Sequence, residues 1–209
     1  MHNLQPLEIE NKSFEIIKEE IDEDYFSLIT EELKPVIVRV IHATADFEFL
    51  YNIKFTENFF KKATEALKNG CTILTDVKMI EAGISKNYCE KFGIKVKCYM
   101  SSEDVIEYAK KNKTTRAKAA LLLHGKEADN GIIAIGNAPT ALFQAIEMIK
   151  NGEIKPNAII GVPVGFVGAE ESKNELTKLN NVEYITSLGR KGGTPVAVAI
   201  INALLKIIS

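Results

Sequence analysis

The second half of the sequence alternates short apolar runs, Gly- or Pro-containing turns and amphipathic helical stretches, and few architectures accommodate that order. "GIIAIG" (131–136) has strand length, "APTALFQAIEMIKNG" (138–152) has Pro139 near its first turn and Gly152 as a stop, and "NAIIGVPV" (157–164) is the next strand. This is a βαβ unit. A polar-faced helix in "GAEESKNELTKLN", a strand in "VEYITSL" and a closing helix in "TPVAVAIINALLKII" extend it. Right-handed crossovers make such strands parallel and gather the loops after them at one sheet edge, where ligands bind.

The first half is looser. Its strand candidates are "PVIVRVIHA" (35–43), "CTILTD" (71–76) and "KVKCYM" (95–100), with helices in the gaps. Thr56 is a candidate cap for "TENFFKKATEALKNG", Ser101 or Ser102 for "SEDVIEYAKKN", and "TTRAKAALLLHG" runs straight into the 131–136 strand. The expected fold is a single three-layer α/β/α domain over residues 1–209, with a mostly parallel sheet of five or six strands.

A formal net charge of −2, with 26% charged residues, gives no reason to expect a nucleic-acid or membrane surface. The three cysteines are odd in number and form no C-x-x-C pair, which argues against a disulfide framework or a cysteine-rich zinc site and points to the cytoplasm. No basic n-region or apolar h-region opens the chain, and no window approaches the ~18 apolar residues of a membrane span.

Three loops each follow a strand candidate and precede a helix: "GNAPT" (136–140), "GVPVGFVGAEES" (161–172) and "GRKGGT" (189–194). Free N–H groups at helix starts, with Lys173, Arg190 and Lys191 nearby, suit an anionic ligand. None matches a dinucleotide or nucleoside triphosphate fingerprint. His42 ends the "VIVRVIH" run, where imidazole could act as a general acid or base, or serve as a structural histidine. Arg39 lies three residues earlier, so in a regular strand it would point to the opposite face. His2, His42 and His124 share no metal-ligand spacing, and His124 reads as a core or helix-end residue. There is no G-x-S-x-G motif, and Cys71 has no adjacent histidine to activate it. Arg116, near a helix start, reads by itself as a surface arginine.

"SFEII" (13–17), "RVIHATADFEF" (39–49), "AIGNAPTALF" (134–143), "GVPVGFVGAEESK" (161–173) and "GRKGGTPVA" (189–197), in that order, resemble the precorrin-8X (cobalt-precorrin-8) methylmutase family from about residue 6 to the end. "HATAD" looks like the cobalt-first branch. The resemblance implies an isomerase of corrin-ring biosynthesis that moves a methyl group from C11 to C12 by a 1,5-sigmatropic shift, with no cofactor and no protein-bound metal. It places the family's catalytic histidine on His42 and substrate contacts on Ser13, Arg39 and Arg116. It implies a tetrapyrrole substrate and a homodimer with the site near the subunit interface, which would relieve the parity conflict for Arg39. Relatives often have arginine where this chain has Lys12, so a bidentate carboxylate clamp is not expected there. A non-catalytic corrinoid carrier would have the same rim and pocket. A methyltransferase using S-adenosylmethionine would want a glycine-rich loop after the first strand, and "HATAD" has none.

Overall fold

The computed structural model describes residues 5–209. Six strands form one sheet: β1 (Ile53–Phe55), β2 (Thr72–Thr75), β3 (Lys95–Lys97), β4 (Ile132–Ile135), β5 (Ala158–Gly161) and β6 (Glu183–Ser187). The spatial order is β1-β6-β5-β4-β2-β3. All neighbours pair in parallel except β1, which runs antiparallel to β6 at the edge. Five of the six strand candidates are strands. The sixth, 35–43, is not.

Residues 33–44 form the helix α3 (Leu33–Thr44), preceded by α1 (Pro6–Glu20) and α2 (Glu23–Leu28). The run of β-branched residues reads as a strand locally. However, Leu33, Val36, Ile37, Val40 and Ile41 follow helical spacing, and all are 3% exposed or less. Burying side chains of this size is worth about 1.5–3 kcal/mol each, which outweighs a weak local preference against helix. Pro35 is tolerated because it sits in the first turn, where no intrahelical N–H bond is lost. Ala45, in the left-handed conformation, ends the helix with its N–H on the Ile41 carbonyl.

The sixth strand is instead the three-residue β1, which follows the single turn α4 (Phe49–Asn52) and is not among the candidates. Thr56, expected to cap the next helix, is bound to β6 instead: its hydroxyl accepts the Tyr184 N–H at 2.9 Å. That helix, α5 (Phe59–Lys68), starts three residues later. The remaining helices are α6 (Lys78–Gly83), α7 (Lys86–Phe92), α8 (Glu103–Lys111), α9 (Arg116–His124), α10 (Pro139–Lys150), α11 (Ala169–Leu176) and α12 (Thr194–Ile207). Ser102 holds the N-cap position of α8, but its hydroxyl donates to the Tyr99 carbonyl; Thr115 does cap α9, accepting the Lys118 N–H.

Strand alternation divides the core between the two faces. Ile132, Ala134 and Ile160 pack with α5 and α12, whereas Ile133, Ile135 and Ile159 pack with α9, α10 and α11. Helices therefore cover both faces in three layers. On the first side α3 packs against α12, and α1 packs against α3.

Candidate functional site

As helical parity requires, Arg39 and His42, three residues apart, share the exposed side of α3. The conflict posed by a strand does not exist. α1 crosses this side and places Phe14 between the two: its ring centroid is 4.9 Å from that of His42 and 5.6 Å from the Arg39 guanidinium. Arg39 also faces Glu10 at 3.6 Å.

His42 touches two cavities. One, of about 220 Å³, is lined by Arg39 and His42 together with Pro195, Val198, Ala199 and Asn202 of α12. The other, of about 230 Å³, is lined by Ser13, Ile16 and Ile17 of α1 with Ile41, His42 and Phe47. The Ser13 hydroxyl donates to the Ile9 carbonyl at 2.9 Å, which leaves its oxygen free to accept. Ser13, Arg39 and His42 are thus brought to one place. Arg116 is not: it is exposed at the start of α9, in the layer on the other side of the sheet.

The three loops form one rim: backbone hydrogen bonds join 161–172 to 189–194, and Gly136 packs so closely on the latter that a Cβ there would lie 3.0 Å from the Thr194 Cα. The Gly193 N–H reaches the Val162 carbonyl at 2.8 Å, and the Gly165 N–H the Arg190 carbonyl at 3.2 Å. Gly192 has φ +155°, and a Cβ there would lie 2.3 Å from the Val162 oxygen, so only glycine fits.

The expectation of free anion-binding groups on this rim is corrected at three points. The amides of the 136–138 loop are already engaged by Asp76, whose buried carboxylate accepts from Gly136 at 3.1 Å, Asn137 at 2.9 Å and Ala138 at 2.7 Å. Burial raises the Asp76 carboxyl above its ordinary range, against the lowering effect of these bonds. Lys173 is fully buried and donates to the Lys191 carbonyl at 2.6 Å; burial pushes its ammonium down to about 8. Lys191 spans Asp46 at 2.5 Å and Glu48 at 2.9 Å, and hydrogen bonds to these carboxylates raise its pKa. Burial alone would raise Asp46, but bonds from Lys191 and the Glu48 backbone hold it low. These groups tie the segment just after α3 to the rim, so Lys191 fixes the end of the helix that carries His42.

His124 has the helix-end role expected of it. Its ring stacks on Tyr99 at 3.8 Å between centroids and lies 2.7 Å from Asp104. His2 lies outside the described residues. Among the described residues no three His, Cys, Asp or Glu side chains converge as a metal site, and no helix is long and apolar enough to cross a membrane. The three cysteines are free, and burial raises the pKa of each thiol, that of Cys71 to about 12, which disfavours the thiolate a nucleophile needs.

The family model for precorrin-8X methylmutase matches residues 8–207. The chain belongs to the precorrin-8X methylmutase family. It is 48% identical to the cobalt-precorrin-8 methylmutase of Priestia megaterium over 201 residues, 96% of this chain and 88% of that one. It is 46% identical to the corresponding protein of Methanocaldococcus jannaschii, over 95% of this chain and 92% of its relative. The crystal structure of the precorrin-8X methylmutase of Thermus thermophilus superposes with a TM-score of 0.87 at 35% identity, covering 96% and 95% of the two chains.

Sequence reasoning passed over two residues that shape this site in a methylmutase fold. Asp76 carried a signal: an acid at the C-terminal end of a strand candidate, at the edge where the glycine loops gather. Phe14 carried less, since an aromatic on an amphipathic helix reads as core until the crossing of α1 over α3 is known.

Proposed function

We propose that this chain moves a methyl group from C11 to C12 of cobalt-precorrin-8 by a 1,5-sigmatropic shift, with His42 as proton donor. Membership of the methylmutase family makes it an isomerase of cobalamin biosynthesis. The observation that carries the finer reading is the position of His42, shared by two cavities that hold Ser13 and Arg39 respectively. Imidazole can give and take a proton near pH 7 without a large shift. Protonating or hydrogen-bonding a ring nitrogen withdraws electron density from the conjugated system and eases the shift. Substrate and product are isomers, so the proton lent by His42 returns to it within the cycle, and no methyl donor is consumed.

Arg39 would anchor a peripheral carboxylate and Ser13 a neighbouring polar group, while Phe14 presents an apolar face to the macrocycle. The cobalt form is favoured because the relatives named above at 48% and 46% identity carry it in their names, whereas the Thermus thermophilus protein, which does not, is 35% identical. A homodimer with the site near the interface completes the proposal. The exposed Phe166 and Val167 on the rim supply an apolar patch that a second copy would cover.

The test is an absorbance spectrum of purified protein mixed with cobalt-precorrin-8, and separately with the metal-free form, with His42→Ala as control. Methyl migration changes the conjugation, so the wild type shifts the spectrum and His42→Ala does not. Tight binding with no spectral shift in either protein overturns the isomerase and leaves a carrier.

A further inference from the structure

A cavity of about 450 Å³, about twice the volume of either pocket at His42, opens along the N-terminal half of α3. Lys18, Lys34, Arg39 and Lys206 surround it, and Phe14 and Phe26 form its floor with Val38; no acidic side chain lines it. This is unusual in a chain with 28 acidic and 26 basic residues. Lys34 is 5.6 Å from the Phe26 ring centroid and Arg39 the same distance from that of Phe14, so both cations lie against the apolar floor. Lys34 has Glu31 at 2.5 Å and Arg39 has Glu10, but Lys18 and Lys206 make no ion pair among the described residues. Lys18 and Lys206, drawn from α1 and α12, thus face one cavity with no carboxylate partner among the described residues, and an anion placed there would join them.

We infer that this cavity is a carboxylate-anchoring subsite for a ligand with an apolar body and several anionic arms. The inference rests on the proposed function, because the ligand is the tetrapyrrole whose reacting edge lies at His42. Arg39 lines both this cavity and the one at His42, so the two are neighbours and a broad molecule at one would meet the other across its guanidinium. Lys18 and Lys206 are specificity-determining residues: they recognise the peripheral carboxylates and take no part in the methyl shift. Binding that acts equally on ground and transition states changes KM rather than kcat.

The experiment measures kcat and KM with cobalt-precorrin-8, and product affinity by titration, for Lys18→Met, Lys206→Met and the double variant. Methionine keeps the length and apolar stem of lysine. Lys110→Met, on the exposed surface of α8, removes one charge elsewhere and is the control. Each subsite variant is expected to raise KM about two- to five-fold, the range of accessible ion pairs, and the double variant about ten-fold, with a weaker salt dependence. Product whose peripheral carboxylates are converted to amides is expected to bind all these proteins equally. Unchanged KM and affinity in the double variant overturn the subsite while leaving the isomerase intact. So does an equal loss of affinity for the amidated product. A wild type that neither binds nor converts the tetrapyrrole overturns both proposals.

Discussion

Replacing Lys173 with methionine tests whether the rim is held by a charge kept inside the protein. Lys173 is 0% exposed, its ammonium is pushed by burial from an ordinary 10.5 to about 8, and its hydrogen-bond partner is the Lys191 carbonyl. At about 1.4 kcal/mol per pH unit, keeping this side chain charged at pH 7 costs about 3 kcal/mol. The charge-assisted hydrogen bond offsets about 1.5–3 kcal/mol of that. Lys173→Met should therefore leave stability at pH 7 unchanged or raised by about 1 kcal/mol. Between about pH 8 and 10.5 the unfolded chain binds more protons at this position than the folded one, so stability contributed by the wild-type lysine rises with pH. The methionine variant lacks that rise. Urea unfolding of both proteins at pH 7 and pH 10 should show the difference moving toward the wild type by about 2.5 kcal/mol. The same offset at both pH values would refute the reasoning, since it would mean that Lys173 titrates alike in folded and unfolded chains.

Gly192→Ala should destabilise by about 2 kcal/mol or more, because the new Cβ meets the Val162 oxygen and the φ of +155° disfavours any side chain; thermal unfolding checks it. Asp76→Ala leaves the Gly136, Asn137 and Ala138 N–H groups without their acceptor and should cost about 3 kcal/mol, with Asp76→Asn losing less; urea unfolding of the two variants separates them. Thr115→Ala removes the α9 cap and should cost about 1 kcal/mol, with faster amide exchange confined to the first turn of that helix.

Much of the architecture could be read directly from residue order. Apolar runs of strand length separated by Pro- and Gly-bounded amphipathic stretches leave few alternatives to a parallel sheet with crossover helices, and β2 through β6 lie where that pattern puts them. The motifs around Ser13, Arg39 and His42 sufficed to indicate the family, since a family match depends on residue identity and order rather than on knowing the local conformation. The identity of α3 was not legible. "PVIVRVIH" satisfies a strand by β-branching and a helix by spacing, and only burial against α12 and beneath α1 selects the helix. The three-residue β1 was equally hidden, because an edge strand that short is defined by its partner β6. The state of the rim depends on tertiary structure for the same reason. Glycines at helix starts announce free N–H groups, but whether those groups await a ligand is decided by side chains distant in sequence. Here Asp76 reaches the 136–138 amides across about sixty residues, and Asp46 meets Lys191 across 145. Local sequence sets which groups a loop offers; long-range packing sets which of them are already engaged.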